Sequence, residues 1–435
     1  MFSSARLTLP AGVGAGVAAV FLAPAARAQD VPDPVYAAQD AFEAPDVADP
    51  FLRPQRPELA SVGVRLGSFT LRPSVELSAI GNSNVRLLSV DQGADIGLVV
   101  QPSATLTSDS GRYRLRAFAT GTAVRYAGKA TENVEQLFGG VRIDRPLGPT
   151  AAIRASIEGG RFIEDRAALF SPRDSRSPIA FERVLATVSG IATPGRFVIA
   201  PSIEVDRLAY HDNRRASLPT LLLEQRTRSF TRITPAVLAG YTLSADTAVY
   251  VGGEVNRRDF DVRRDIDRDS QGWRVYAGAR FRPTPLTRVE FAAGYLKQEY
   301  RAPLRGPSVP YFRASLAWVP TGLTTLRFDI RRDSAETGTV LAGGAIRTRL
   351  RGEVTHELLR NLNLAARVEH ARFSYSTLDR VDDRTSAGVD ARYVASRRFD
   401  LFARADQVFV STGDPAAALN EFSRTQLIVG LAWKL

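Results

Sequence analysis

From Phe69 to Leu435 the chain alternates between apolar and polar positions with a period of two. Successive side chains of a β-strand point to opposite faces, so this alternation predicts strands with one apolar and one polar face. About eighteen such segments can be read, near residues 69–80, 94–107, 112–126, 134–144, 151–163, 179–193, 196–210, 226–243 and 247–261 in the first half. The rest fall near 272–282, 288–300, 310–319, 324–333, 345–358, 362–374, 385–395, 399–410 and 421–435. Most hold roughly 10–14 residues, the length at which a tilted strand crosses a bilayer.

The connections add a second constraint. Short ones fall at 109–111, 146–149, 194–195, 244–246, 283–285, 321–322, 360–361 and 397–398. Between them come longer polar ones, including 81–93, 164–178, 211–223, 263–270 and 378–384. Outer-membrane barrels have short periplasmic turns and longer external loops, which is this pattern. Propellers imitate part of it, but no fixed-period repeat runs through the sequence. The expected fold class is all-β, a transmembrane antiparallel barrel of about eighteen strands over residues 67–435.

The last stretch, EFSRTQLIVGLAWKL, puts Leu427, Val429, Leu431, Trp433 and Leu435 on one face. Ile428, Gly430, Ala432 and Lys434 lie on the other. Outer-membrane barrels end on such a strand, which assembly machinery reads. Gly430, Trp433 and Leu435 are the expected C-terminal assembly signal, with Leu435 where Phe is the usual last residue.

Residues 1–28 read as a cleaved signal peptide: Arg6, an apolar stretch over 7–22, then Ala26-Arg27-Ala28 as the small-x-small cleavage pattern. Residues 29–66 read as a disordered periplasmic linker. Its prolines are accompanied by Asp30, Asp33, Asp40, Glu43, Asp46 and Asp49, with no base before Arg53. At the periplasmic mouth of an arginine-rich pore, that acidic stretch is either a plain spacer or a weak, salt-sensitive gate.

Composition excludes several classes. The 435 residues contain no cysteine, so disulfide frameworks and thiolate metal sites are ruled out. After the signal peptide no run approaches the roughly 20 apolar residues of a spanning helix. A mean hydropathy of -0.11 still allows a barrel, because lumen residues dilute its lipid face. The net charge of +11 is carried almost wholly by arginine, with lysine only at Lys129, Lys297 and Lys434. An export signal and the lack of any nucleic-acid module argue against a nucleic-acid partner.

The charged face must line the interior, since arginine facing lipid at the midplane costs about 2–4 kcal/mol. Leu326, Phe328 and Ile330, for example, alternate with Arg327, Asp329 and Arg331. The expected pore-lining residues are Arg114, Arg116, Arg274, Arg280, Arg327, Arg331, Arg347, Arg349, Arg351, Arg367, Arg392 and Arg404, with Arg72 and Arg154. Acids on the same face include Glu76, Glu158, Glu204, Asp206, Glu254, Asp329, Glu369, Asp390 and Asp406. Cross-strand pairing would stiffen the wall, and the excess of arginine would favour anions. Arg347, Arg349 and Arg351, on one face of one strand, form the sharpest cluster. A barrel this wide is not filled by side chains and should hold water.

Enzyme chemistry finds little support. Histidine occurs at His211, His356 and His370. His211-Asp212 is loosely similar to the His-Asp pair of outer-membrane proteases, but those have ten strands and need a further acidic pair. No cofactor or metal site is expected. TonB-dependent transporters, with about 22 strands and a folded plug, do not match either.

The stretch GSFTLRPSVELSAIGNSNV, residues 67–85, resembles the opening of the putative β-barrel porin type 2 family. There an F-x-L-x-P-S strand precedes a loop with an Asn-rich turn, here Asn82 and Asn84; Ser83 replaces the acid that often precedes the loop Asn. The resemblance covers residues 69–435. It implies an outer-membrane barrel associated with exopolysaccharide secretion, hence an exit channel for an exopolysaccharide. Implied partners are outer-membrane lipid, the barrel assembly machinery and periplasmic polysaccharide export proteins. The alternative is a general diffusion porin for small anionic solutes. Such porins fold a long loop inward as a constriction, and none of these loops reads as long enough.

Overall fold

Every alternating segment forms a strand. The computed structural model describes residues 57–435 except 89–92, 109–111, 264–265, 339–341 and 414–420. The expected signal peptide and the acidic stretch lie outside the described residues. The barrel strands are β1 (Phe69–Asn82), β2 (Asp95–Ser108), β3 (Arg114–Tyr126), β4 (Val134–Pro146), β5 (Ala151–Ile163) and β6 (Ala180–Ala192). They continue as β7 (Phe197–Tyr210), β8 (Phe230–Ser244), β9 (Thr247–Phe260), β10 (Ser270–Thr284), β11 (Thr287–Tyr300) and β12 (Ser308–Thr321). The last are β13 (Thr324–Ala335), β14 (Ala345–Leu359), β15 (Leu362–Tyr375), β16 (Val381–Val394), β17 (Phe399–Thr412) and β18 (Phe422–Lys434).

Each strand pairs antiparallel with its sequence neighbours, and β18 pairs with β1 from Ser74↔Lys434 to Asn82↔Gln426. The result is a closed barrel of 18 strands, which leaves no edge unpaired. The period-two pattern then decides what meets what. Leu77, Ile96, Leu137, Val188, Val251, Val368, Leu401 and Val429 stand exposed on the outside, while the alternating polar residues turn in.

Three local readings change. Residues 64–66 are not linker: Val64–Leu66 turns back on β1 through Gly67, whose φ of 62° suits glycine. The segment read as a strand from residue 226 begins with a 3-10 turn, Arg226–Arg228, so β8 starts at Phe230. The loop read at 378–384 is shorter, because Asp382 and Arg384 continue the inward register of β16. The Asn-rich turn also has a physical role. Asn84 donates to Leu88 O at 2.9 Å and to Ser423 O at 3.1 Å, tying the first loop to the last strand.

At the C-terminus Gly430 faces inward where no side chain fits: a Cβ would lie 2.5 Å from Leu77 O and 2.8 Å from the Phe402 ring. Trp433 lies opposite Val75 and Phe399, and the Leu435 amide donates to Pro73 O at 3.2 Å. Deleting Trp433–Leu435 removes the end of the closing seam. The expected result is loss of the heat-modifiable, fast-migrating form on detergent gels, measured on outer-membrane fractions.

Candidate functional site

The registers put Arg114 and Arg116 (β3), Arg274 and Arg280 (β10), Arg327 and Arg331 (β13), and Arg347, Arg349 and Arg351 (β14) on the inward face. Arg367, Arg392 and Arg404 lie there too, on β15, β16 and β17. Their surroundings differ. Arg274 and Arg331 are buried in the wall, paired with Glu254 and Asp333, each at 2.8 Å. Arg347 shares Asp333 at 3.0 Å, Arg351 meets Glu353 at 3.0 Å, and Arg327 reaches Glu353 at 3.6 Å. Arg367 joins Asp390 and Asp406, while Arg392 joins Glu76 at 2.7 Å and Asp400 at 3.0 Å. Along β13–β17 the wall is thus a ladder of paired charges. The cluster that stood out in the sequence is largely compensated.

The periplasmic ends of β1, β3 and β4 are different. Arg116 lies directly opposite Arg142, both inward and solvent-exposed, and Arg114 lies opposite Asp144. The Asp144 carboxylate is taken by Arg154 at 2.5 Å. Arg72 donates to the Thr107 hydroxyl at 3.2 Å. Among the described residues Arg72, Arg114, Arg116 and Arg142 form no ion pair, so this arc presents uncompensated cations to the lumen. Sequence reading named three of these and missed Arg142, which extending β4's alternation through Gln136, Phe138 and Gly140 would have reached.

The largest departure from expectation is the β5–β6 loop, residues 164–179. It folds inward and reaches the far wall. At its base Glu164 accepts from Arg228 at 3.1 Å, and the Glu164 amide donates to Ile179 O. Arg166 clamps Glu132 at 2.8 Å and Ser175 Oγ at 2.9 Å. Asp165 then accepts from Arg424 of β18 at 3.1 Å, and the Arg173 guanidinium sits 4.5 Å above the Phe422 ring. Ala167 and Leu169 pack with Leu87, Val408, Val410 and Phe422. Phe170 sets its edge against Phe373 and Tyr375 of β15, at 5.6 and 6.1 Å. Gly338 permits that seat, since a Cβ there would come within 2.8 Å of Phe170.

Charge fixes the latch. Burial works against the Asp165 carboxylate, but Arg424 and the Ala167 amide outweigh it and hold the group below the usual carboxylate range. Burial pulls the Arg173 guanidinium down to about 10. Burial also opposes Arg228, yet Glu164 and Tyr210 raise it above its ordinary value.

Neighbouring loops lock over this one. Arg268, almost wholly buried, donates to Thr337 O at 2.6 Å and stacks over Phe260 at 4.7 Å. Glu336 takes Arg258 and the Tyr300 hydroxyl. Thr377 bridges Arg305 O at 3.2 Å and the Gly343 amide at 3.3 Å. At the external end, then, neighbouring loops are tied to one another around the loop that crosses the lumen, while the periplasmic end carries the arginines without ion pairs.

Closed two-faced strands, lumen charges and a lumen-crossing loop describe a channel, and a family model agrees: putative beta-barrel porin 2 matches residues 56–435. The chain belongs to the putative β-barrel porin 2 family. This porin resides in the outer membrane, with its apolar face in lipid. No curated protein sequence matches it. Among solved structures it is similar to Pseudomonas aeruginosa OpdK with vanillate, at 9% identity and TM-score 0.43, covering 84% of this chain and 99% of that one. It is also similar to a BenF-like porin from Pseudomonas fluorescens Pf-5 (12%, TM-score 0.44, 85% and 100%) and to Acinetobacter baumannii OccAB1 (9%, 0.44, 88% and 100%).

Inside the porin, aromatic side chains of successive strands form a track: Phe118, Phe138, Phe162, Phe181 and Tyr210, with ring centroids 5.0 to 5.9 Å apart. Arg228 closes it, 4.1 Å above Tyr210. His211 and Asp212 do not form a reacting pair. His211 faces Glu182 at 3.4 Å on the rim, and Asp212 accepts the Gln225 and Arg226 amides. His370 lies on the outward face of β15, beside Thr385 and Asp383. Among the described residues no cluster could hold a metal ion.

Proposed function

We propose that this porin is a narrowed, anion-preferring diffusion channel for small solutes. The observation that carries this reading is the β5–β6 loop, fastened from Glu164 at its base to Arg424, Phe422 and Phe373 on the far wall. A lumen crossed in this way admits small molecules beside the loop. The uncompensated Arg72, Arg114, Arg116 and Arg142 then raise the local concentration of anions at the periplasmic end. Nothing in this geometry favours an exopolysaccharide exit, because a polymer strand would have to pass the β5–β6 loop fastened across the lumen.

Liposome swelling separates the two. Vesicles carrying the porin should swell quickly in small sugar acids, more slowly in neutral sugars of the same size, and not at all in oligosaccharides. Equal swelling in long oligosaccharides would favour a wide exit pore.

A further inference from the structure

The registers of β2–β5 stack inward-facing residues in levels. Nearest the periplasm, Arg114 lies opposite Asp144, and Asp144 opposite Arg154. One level up, Arg116 lies opposite Arg142, with Thr107 of β2 on one side and Ser156 of β5 on the other. The next level holds Phe118 between Thr105 and Gly140, with Glu158 beyond Gly140. Phe138 and Phe162 continue from there, each one strand over and one level higher. The climb ends where Phe162 meets Phe181, just before Glu164 begins the crossing loop.

Two properties distinguish this face. Arg116 and Arg142 are exposed and set like charges directly across a strand pair, which is destabilising when nothing lies between them. Phe118, Phe138 and Phe162 are only half-buried, with successive ring centroids 5.9 and 5.3 Å apart. The inward Tyr250, Tyr276 and Tyr311, farther round the barrel, are instead buried among their neighbours. The β2–β5 face thus leaves both rings and cations open to a solute.

We propose that this face binds phosphate monoesters that carry a flat ring, with the phosphate between Arg116 and Arg142 and the ring on Phe118 and Phe138. The proposal rests on the anion-channel reading and adds a ligand class to it. Side chains directly opposite have Cβ atoms about 4.5–5.5 Å apart, so both guanidiniums can close on one anion. A carboxylate brings one charge and two oxygens. A phosphate monoester brings nearly two charges and three oxygens, which suits a pair of arginine forks flanked by the hydroxyls of Thr107 and Ser156. Phe118 stands one inward step from Arg116, about 7 Å along the strand, so one small molecule reaches both. Gly140 puts no side chain beside the Phe118 ring, which leaves room for offset or edge-to-face contact with a bound ring. Glu158 accepts from a ligand hydroxyl but repels a second acidic group, so the ligand carries its charge at one end.

The test is blockade of single-channel chloride current at about pH 8, where a phosphate monoester is a dianion because its second pKa is about 6. The probes are phenyl phosphate, adenosine monophosphate, ribose phosphate, inorganic phosphate and benzoate. Phenyl phosphate and adenosine monophosphate should block at concentrations about ten-fold below ribose phosphate and inorganic phosphate. Benzoate, with a ring but a single charge, should block more weakly than phenyl phosphate. Phe118→Leu with Phe138→Leu keeps the wall apolar and should erase the advantage of the ring, while blockade by inorganic phosphate reports that the pore has assembled. Arg142→Gln should weaken every phosphate. Phe409→Leu, which removes an outward ring, should leave the ratios as in wild type. A larger advantage for adenosine monophosphate assigns the site to nucleotides and a larger one for phenyl phosphate to aryl phosphates; either supports it. Equal blockade by ring-bearing and ringless phosphates would overturn the proposal. So would benzoate matching phenyl phosphate, or a ring advantage that survives the double leucine variant. Those results leave the anion-channel reading standing if wild type is chloride-selective in a salt gradient, whereas a wild type without that selectivity removes both.

Discussion

Excising residues 166–177 and joining 165 to 178 with a short Gly-Ser turn is expected to raise single-channel conductance several-fold. The strands that bear the loop are held by their own ladder, with Ile163↔Ala180 and Phe162↔Phe181 in register, so the barrel should still close. What disappears is the mass crossing the lumen, with Phe170 against Phe373 and Arg173 over Phe422. A milder version is Asp165→Ala, which strands the nearly buried Arg424 without its carboxylate. Breaking a buried pair from one side costs about 3–5 kcal/mol, a cost the loop can relieve by leaving its seat. That variant should flicker between the native conductance and a larger level. Unchanged conductance in the excised porin would show that the loop does not narrow the path.

The second large effect concerns charge. Replacing Arg116 and Arg142 together by Ser should shift the reversal potential markedly toward zero in a salt gradient. These guanidiniums face each other across adjacent strands with no carboxylate between them, so their field reaches the solute. Removing a compensated pair, Arg351→Ser with Glu353→Ser, leaves the net wall charge unaltered and should move the potential little. Both effects should shrink at high salt, because the screening length falls from about 8 Å at physiological ionic strength to about 3 Å at 1 M. Equal shifts in the two double variants would mean that the free arc does not set selectivity.

Local sequence carried the barrel because its signal repeats every two residues. Leu326, Arg327, Phe328 and Asp329 reveal two faces without knowledge of any partner strand. The β16 boundary was misplaced for the same reason: Asp382-Asp383-Arg384 looks like a loop until Tyr375 and Arg380 are seen beside Asp382, at 2.7 and 2.8 Å. Which arginines are compensated was not legible either, since Arg392 finds Glu76 from 316 residues away. The crossing loop was the hardest feature. Asp165 meets Arg424 across 259 residues of chain, and nothing near Asp165 announces that its partner lies on the last strand. Its length alone did not suggest that it would span the lumen; a compact base, tied at Glu164 and Ser175, lets the few residues between them reach the far wall.

The central claim, a narrowed channel whose free arginines favour anions, is tested most directly by one recording. The porin is placed in a planar bilayer with a potassium chloride gradient, whose two ions have nearly equal mobility in water. The reversal potential should carry the sign of chloride selectivity and move toward zero as both sides are raised to high salt. A potential of potassium sign, or one at zero at every salt concentration, would contradict it.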